Sequence, residues 1–162
     1  MKIIAVAGTG SGCGKTTVAC QILRAIPGLG AVKISPRDGE SRVEWGPGEP
    51  GKDTDLFFTN GALLVARIIG PRESVAKSWD LIKGQFKGCK GVVIEGASAL
   101  GIPGERYVVF VVGNTTEEDR NERNRAIEAN SDVIIDRSSH FNHDLLIDSI
   151  RLFLSTSSRE DG

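Results

Sequence analysis

A glycine-rich segment near the N-terminus constrains the fold more than any other feature of the sequence. Residues 8–17 read GTGSGCGKTT, with glycine at every second position before a Lys-Thr-Thr end. The apolar run Ile3 to Ala7 precedes it, and the apolar residues Val18, Ile22 and Ile26 follow at helical spacing. A strand, a glycine loop and a helix in this order are typical of a phosphate-binding site in an α/β protein, because glycines let successive backbone N–H groups converge on an anion.

The residues of this loop divide into backbone donors and side-chain ligands. The helix that follows adds the unpaired N–H groups of its first turn, which favour an anion. Lys15 is expected to reach the β- and γ-phosphates, and the Thr16 hydroxyl is expected to coordinate Mg²⁺. The segment thus predicts a site for a nucleoside triphosphate with Mg²⁺. The predicted nucleotide-binding residues are Gly10, Ser11, Gly12, Cys13, Gly14, Lys15, Thr16 and Thr17.

The rest of the chain alternates short apolar runs with amphipathic stretches. This alternation predicts a three-layer α/β fold with a mostly parallel central sheet covered by helices, and the glycine loop makes this fold similar to that of the phosphate-loop NTPases. We expect one domain over residues 1–154, a long loop over 36–52 and a frayed tail over 155–162. The predicted strands are 3–7, 30–35, 63–69, 91–94, 107–112 and 132–136. The predicted helices are 18–26, 75–86, 115–129 and 144–154. A capping box formed by Thr115 and Glu118 is expected to begin the helix over 115–129.

The charge and cysteine content limit the classes of partner. The chain has 162 residues, of which 20 are basic and 21 acidic, so it lacks the basic excess of a general nucleic-acid binder. No apolar run approaches the roughly 18 residues that a membrane-spanning helix needs. The three cysteines form no CxxC pair, which indicates reduced thiols. We therefore expect a cytoplasmic protein without a nucleic-acid or membrane partner.

A second acidic group is expected to help Thr16 hold the metal. Glu95 directly follows the apolar run Val92 to Ile94 and precedes Gly96. A residue at this point of a parallel strand lies at the carboxyl edge of the sheet, where ligands of open α/β proteins bind. Glu95 is therefore the leading candidate for a metal ligand and a catalytic group.

The loop departs from the spacing G-x-x-x-x-G-K-[ST], which would place glycine where this chain has Thr9. Glycines at 8, 10, 12 and 14 resemble the deviant loop of a subclass that includes dethiobiotin synthetase, cobyrinate diamide synthase and the molybdopterin-guanine dinucleotide biosynthesis protein B family. The segments PGKDTD at 50–55 and NGA at 60–62 resemble the last of these families. The resemblance covers most of the chain, from the loop and the lysine strand 30–35 to segment 50–62 and Glu95-Gly96.

This resemblance implies roles for two further residues. Lys33 would contact phosphate or substrate, and Asp53 would contact the metal or its water. The implied catalytic set is then Lys15, Lys33 and Glu95, and the implied metal set is Thr16, Asp53 and Glu95. The family commonly carries histidines after the strand lysine, whereas this chain has Ser-Pro-Arg-Asp at 35–38, so their role does not transfer. Relatives also imply a homodimer and a molybdenum-cofactor guanylyltransferase as partner.

Two functional hypotheses follow, and they differ in the nucleotide base that the protein is expected to bind. Guanine-specific relatives recognise the base with the motif Asn/Thr-Lys-x-Asp, which follows a late strand. In this chain Asn114 has the position of the first motif residue, but the lysine is missing and Glu117 replaces the aspartate. GTP and ATP therefore both remain open. The first hypothesis is a GTP-binding accessory protein with weak GTPase activity. The alternative is an ATP-dependent ligase or kinase of the dethiobiotin synthetase type; a regulatory nucleotide sensor is a third reading.

Overall fold

The protein forms an α/β structure around one central sheet. The computed structural model describes residues 1–114, 121–137 and 139–156. Within them the sheet has seven strands, and every neighbouring pair of strands is parallel except one antiparallel pair. The mostly parallel sheet is thus confirmed. Its strands are β1 (Ile3–Gly8), β2 (Leu29–Pro36), β3 (Arg42–Trp45), β4 (Val65–Gly70), β5 (Gly91–Glu95), β6 (Arg106–Val112) and β7 (Val133–Asp136). They lie in the order β3-β4-β2-β5-β1-β6-β7, and β3 and β4 form the antiparallel pair.

Helices cover both faces of this sheet. Alternate residues of β1 point to opposite faces, as the period of a strand requires. Ile4 and Val6 join a core cluster with buried residues of three helices, whereas Ile3 and Ala5 join a cluster with Trp79 of a fourth helix. None of the helices in the described ranges has the length and hydropathy that a membrane span requires. The helices are α1 (Lys15–Ala25), α2 (Asp53–Thr59), α3 (Val75–Ile82), α4 (Glu122–Ala129) and α5 (His143–Ser155).

The segment predicted as a long loop contains strand β3. Arg42 to Trp45 pair with Ala66 to Ile69 of β4 in antiparallel register. Most side chains of β3 are exposed, so the strand lacks the alternation of apolar residues that reveals a half-buried strand. Its formation depends on the backbone edge that β4 offers, and the prediction of an irregular 36–52 segment was wrong at this point.

Several helix boundaries also differ from the prediction. Asn121 caps α4, because its side-chain oxygen accepts a hydrogen bond from Asn124 N at 2.8 Å. The described helix therefore begins at Glu122, and the predicted Thr115–Glu118 capping box lies outside the described residues. The helix predicted over 75–86 ends at Ile82 and continues as a 3₁₀ turn, Lys83–Phe86. Helix α5 extends to Ser155, and residues 157–162 of the predicted tail lie outside the described part.

The order of the strands determines where a site can form. The parallel strands β2, β5 and β1 are neighbours, so their carboxyl ends meet at one edge of the sheet. The glycine loop follows β1 at this edge, and α2 begins at Asp53 after the β3 segment. Lys33 and Glu95 are paired residues in the register between β2 and β5.

Candidate functional site

The first two residues of the glycine loop explain its unusual spacing. A Cβ atom on Gly8 would lie 2.5 Å from Cys13 Sγ and 2.6 Å from the Val111 carbonyl oxygen, so no side chain fits there. Thr9 instead has an allowed backbone conformation, and its Oγ1 accepts a hydrogen bond from Gly113 N at 3.1 Å. The close approach to β6 therefore requires glycine at position 8 and gives the Thr9 hydroxyl a structural role.

Helix α4 also holds the glycine loop in place. The side chain of Asn124 is buried, and its Nδ2 donates a hydrogen bond to the Thr9 carbonyl oxygen at 3.0 Å. A buried amide with satisfied partners fixes the geometry of the backbone that it contacts. The sequence assigned no role to Asn124, since nothing in the polar pattern of this helix distinguishes it from its exposed neighbours.

The glycine loop ends at the first turn of α1. Gly12 and Gly14 have φ angles of 73° and 104°, in the left-handed region that favours glycine. Lys15 folds over the loop, and its Nζ donates to the Gly10 carbonyl oxygen at 2.5 Å. Beside it lies a cavity of about 570 Å³. The predicted site residues that line this cavity are Ser11, Gly12, Gly14, Lys15, Thr16, Thr17, Lys33, Asp53 and Glu95.

Four of these residues form a connected group, here called the quartet: Thr16, Lys33, Asp53 and Glu95. Lys33 Nζ lies 2.6 Å from Glu95 Oε1 and 2.8 Å from Asp53 Oδ2. The Thr16 hydroxyl oxygen lies 3.0 Å from Glu95 Oε2 and 3.1 Å from Asp53 Oδ1. The structure thus brings together all three predicted metal ligands and the strand lysine.

Burial strengthens the interactions within the quartet. Glu95 is only 1% exposed, and the side chain of Lys33 is 19% exposed. Burial alone would lower the pKa of Lys33, but the charge of Glu95 and the hydrogen bonds with both carboxylates raise it above its ordinary value. Burial would raise the pKa of Asp53, but the hydrogen bond and charge of Lys33 lower it below its ordinary value. Lys33 and Asp53 are therefore charged at neutral pH.

The oxygen atoms of the quartet fit a magnesium ion that also contacts phosphate. The Thr16 hydroxyl has one hydrogen, so it can donate to only one of the two carboxylates that it contacts. Its remaining oxygen lone pairs and both carboxylates are hard ligands of the type that Mg²⁺ prefers. Within the described ranges, no group of three His, Cys, Asp or Glu side chains could hold a metal. Phosphate oxygens and water would have to complete the six-coordinate shell, as is usual for Mg²⁺ at nucleotide sites.

A second cavity, of about 450 Å³, lies along the glycine loop and contains the remaining predicted residues. Gly10, Cys13 and Asn114 line it, together with Arg137. Asn114 therefore lies next to the glycine loop. Cys13 is buried against Gly8 and Gly113, which makes it a packing residue of the loop.

Arg137 is a site residue that the sequence analysis missed. It follows β7 directly and lines both cavities beside the glycine loop. A Cβ atom on Gly14 would lie 2.8 Å from Arg137 Cδ, so the glycine makes room for this side chain. The available signal was its position: an arginine directly after the last apolar strand lies at the carboxyl edge of the sheet.

No protein-family model, no curated protein and no solved structure matches this chain. The resemblance to the molybdopterin-guanine dinucleotide biosynthesis protein B family therefore rests on the motifs quoted above. The glycine loop and the quartet are the features of the structure that bear on function.

Proposed function

We propose that this protein binds a nucleoside triphosphate with Mg²⁺, with GTP as the favoured nucleotide. The observation that carries the proposal is the quartet at the first turn of α1, directly beside the glycine loop. A hydroxyl, two carboxylates and a lysine from four separate segments meet there within hydrogen-bonding distance. Two carboxylates share a single ammonium group there, and a metal cation would balance the excess negative charge.

Each residue of the site has a defined part in this proposal. The backbone N–H groups of the loop and of the first turn of α1 surround the phosphates, and Lys15 turns from Gly10 to the β- and γ-phosphates. Thr16, Asp53 and Glu95 hold Mg²⁺, which neutralises phosphate charge when bound. Lys33, whose ammonium pairs with both carboxylates, would contact a phosphate oxygen of the nucleotide. Arg137 supplies a further cation at the edge of both cavities.

The biological role that we favour is that of an accessory protein. In this role the chain binds GTP, hydrolyses it slowly and assists a molybdenum-cofactor guanylyltransferase, acting as a homodimer. The support is the resemblance of segment 50–62, from which Asp53 enters the quartet. The alternative is an ATP-dependent ligase or kinase, in which Lys15, Lys33 and Glu95 promote phosphoryl transfer. One observation favours the alternative: a further cavity adjoins the quartet and shares Lys33 and Asp53 with it.

Calorimetric titration with GTP and with ATP, both with Mg²⁺, tests the proposal. The informative variant is Lys15→Ala, and Lys87→Ala is its control, because Lys87 is exposed and lines none of these cavities. Charge-assisted hydrogen bonds contribute about 1.5–3 kcal/mol, so Lys15→Ala should weaken binding by roughly 10- to 150-fold. Unchanged affinity in a folded Lys15→Ala protein would refute the proposal.

The same titration separates the two roles. Strong GTP binding with weak ATP binding favours the accessory protein and would give Asn114 a role in reading the base. A preference for ATP, with turnover that requires a small carboxylic acid, favours the ligase or kinase.

A further inference from the structure

A cavity of about 520 Å³ lies next to the quartet, on the side away from the glycine loop. Its walls come from the end of β2, the antiparallel pair β3–β4 and the segment that leads into α2. Lys33, Ser35 and Asp53 line both this cavity and the one beside Lys15. Its volume lies within the range of about 300–1,000 Å³ that is usual for small-molecule sites.

The walls of this cavity, here called the β3 cavity, are held by specific hydrogen bonds. Arg67 Nε donates to Ser35 Oγ at 3.0 Å, which joins β4 to β2 above the sheet. Thr54 Oγ1 donates to the Pro47 carbonyl oxygen at 2.6 Å, and Gly51 N donates to Asp55 Oδ2 at 2.8 Å. The segment between β3 and α2 is therefore tied to the first turn of α2.

The β3 cavity is lined by three anionic side chains, Glu44, Glu49 and Asp53, and by four cationic ones: Lys33, Arg37, Lys52 and Arg67. Two of them already have anionic partners, since Lys33 pairs with Asp53 and Glu95, and Arg67 Nη1 lies 3.8 Å from Glu44 Oε2. Arg37 and Lys52 form no ion pair with any residue in the described part of the chain. Arg37 and Lys52 thus bring two positive charges from different segments to one cavity, where cationic side chains outnumber anionic ones by four to three.

We propose that the β3 cavity binds a second ligand through an oxyanion, either a carboxylate or a phosphate. Arg37 would hold two oxygens of this group in the bidentate geometry of a guanidinium, and Lys52 would add a point charge. The proposal extends the proposed function, because the shared residues Lys33 and Asp53 place the second ligand beside the terminal phosphate of the nucleotide. The cavity can nevertheless be tested without the nucleotide, since Lys15 does not line it.

The test uses the Lys15→Ala variant, in which anion binding at the glycine loop is expected to be weaker. This variant is titrated with anions at low ionic strength. One arm uses inorganic phosphate and the other uses succinate, so that the two sources of an oxyanion are compared; succinamide is the uncharged control. Arg37→Gln and Lys52→Gln each remove one charge from the cavity, and Lys87→Gln removes one exposed charge elsewhere. We expect saturable binding of at least one anion that weakens about tenfold or more with Arg37→Gln or Lys52→Gln and is unchanged with Lys87→Gln.

The outcomes distinguish this proposal from the proposed function. Anion binding that is equal in all variants, or that succinamide reproduces, would overturn the second site. A Mg²⁺–GTP titration of Arg37→Gln with Lys15 intact should match the parent chain, because Arg37 does not line the cavities of the glycine loop. If Lys15→Ala does not fold, the same titrations are made on the parent chain saturated with Mg²⁺ and a non-hydrolysable triphosphate. If anion binding to this saturated chain does not weaken with Arg37→Gln or Lys52→Gln, the inference is likewise overturned.

Discussion

The substitution Glu95→Gln tests the role of the quartet most directly, because it removes one charge and keeps the shape of the side chain. Glu95 is buried, with Oε1 at 2.6 Å from Lys33 Nζ and Oε2 at 3.0 Å from the Thr16 hydroxyl. An amide has one oxygen acceptor and one nitrogen donor. Glutamine can therefore accept from Lys33 or from Thr16, but not from both, and it cannot offer Mg²⁺ a charged ligand.

Glu95→Gln is expected to change the affinity for GTP strongly in the presence of Mg²⁺ and only slightly in its absence. A charge-assisted contact contributes about 1.5–3 kcal/mol, which corresponds to roughly 10- to 150-fold weaker binding of Mg²⁺–GTP. Without Mg²⁺ the triphosphate should bind the variant as well as the parent chain, or slightly better, because one negative charge near the phosphates is gone. The predicted signature is thus a reduced gain in affinity on adding Mg²⁺.

Calorimetric titration of GTP, once with Mg²⁺ and once with a chelator, measures this gain. Glu105→Gln is the control, since Glu105 lies at the amino edge of the sheet and its exposed side chain forms an ion pair, within the described residues, only with Lys2 at 3.8 Å. A thermal melt of each variant checks that the fold is intact. If Mg²⁺ strengthens GTP binding equally in Glu95→Gln and in the parent chain, Glu95 is not a metal ligand and the assignment of the quartet is wrong.

Two further predictions concern the glycine loop and the cysteines. Gly8→Ala should lower the free energy of unfolding by about 1–3 kcal/mol, or roughly 2–12 °C in melting temperature, because its Cβ would meet Cys13 Sγ and the Val111 carbonyl oxygen. Gly10→Ala is the matched control, since its Cβ would meet nothing within 4 Å; equal melting temperatures for the two variants would contradict the packing argument. Burial and the charge of Glu95 raise the pKa of the Cys20 thiol to about 11. Alkylation of Cys20 by iodoacetamide at pH 8 should therefore be much slower than alkylation of the more exposed Cys89. The rate at Cys20 should increase as the pH approaches 11. Peptide mapping by mass spectrometry measures both rates, and equally fast labelling of Cys20 in the folded protein at pH 8 would contradict this interpretation.

The features that the sequence determines by itself are those with a local pattern. Continuous apolar runs identify β1, β5 and β6, and helical spacing identifies α1 and α3. The glycine loop lies between β1 and α1, as predicted. The prediction needs only local information, because the strand, the glycines and the helix follow one another within about 20 residues. Glu95 is likewise placed at the end of its strand by the apolar run before it.

The features that only the tertiary structure decides join segments far apart in the chain. Lys33 and Glu95 become partners through the register of β2 and β5, and Asp53 reaches them from α2. Strand β3 and the cavity beside it depend on the free edge of β4, and Arg137 reaches the loop only because β7 lies next to β6. Strand order and register are set by backbone hydrogen bonds and core packing between distant segments. No local period in the sequence encodes these contacts, so the sequence alone indicates the components of the site but not their assembly.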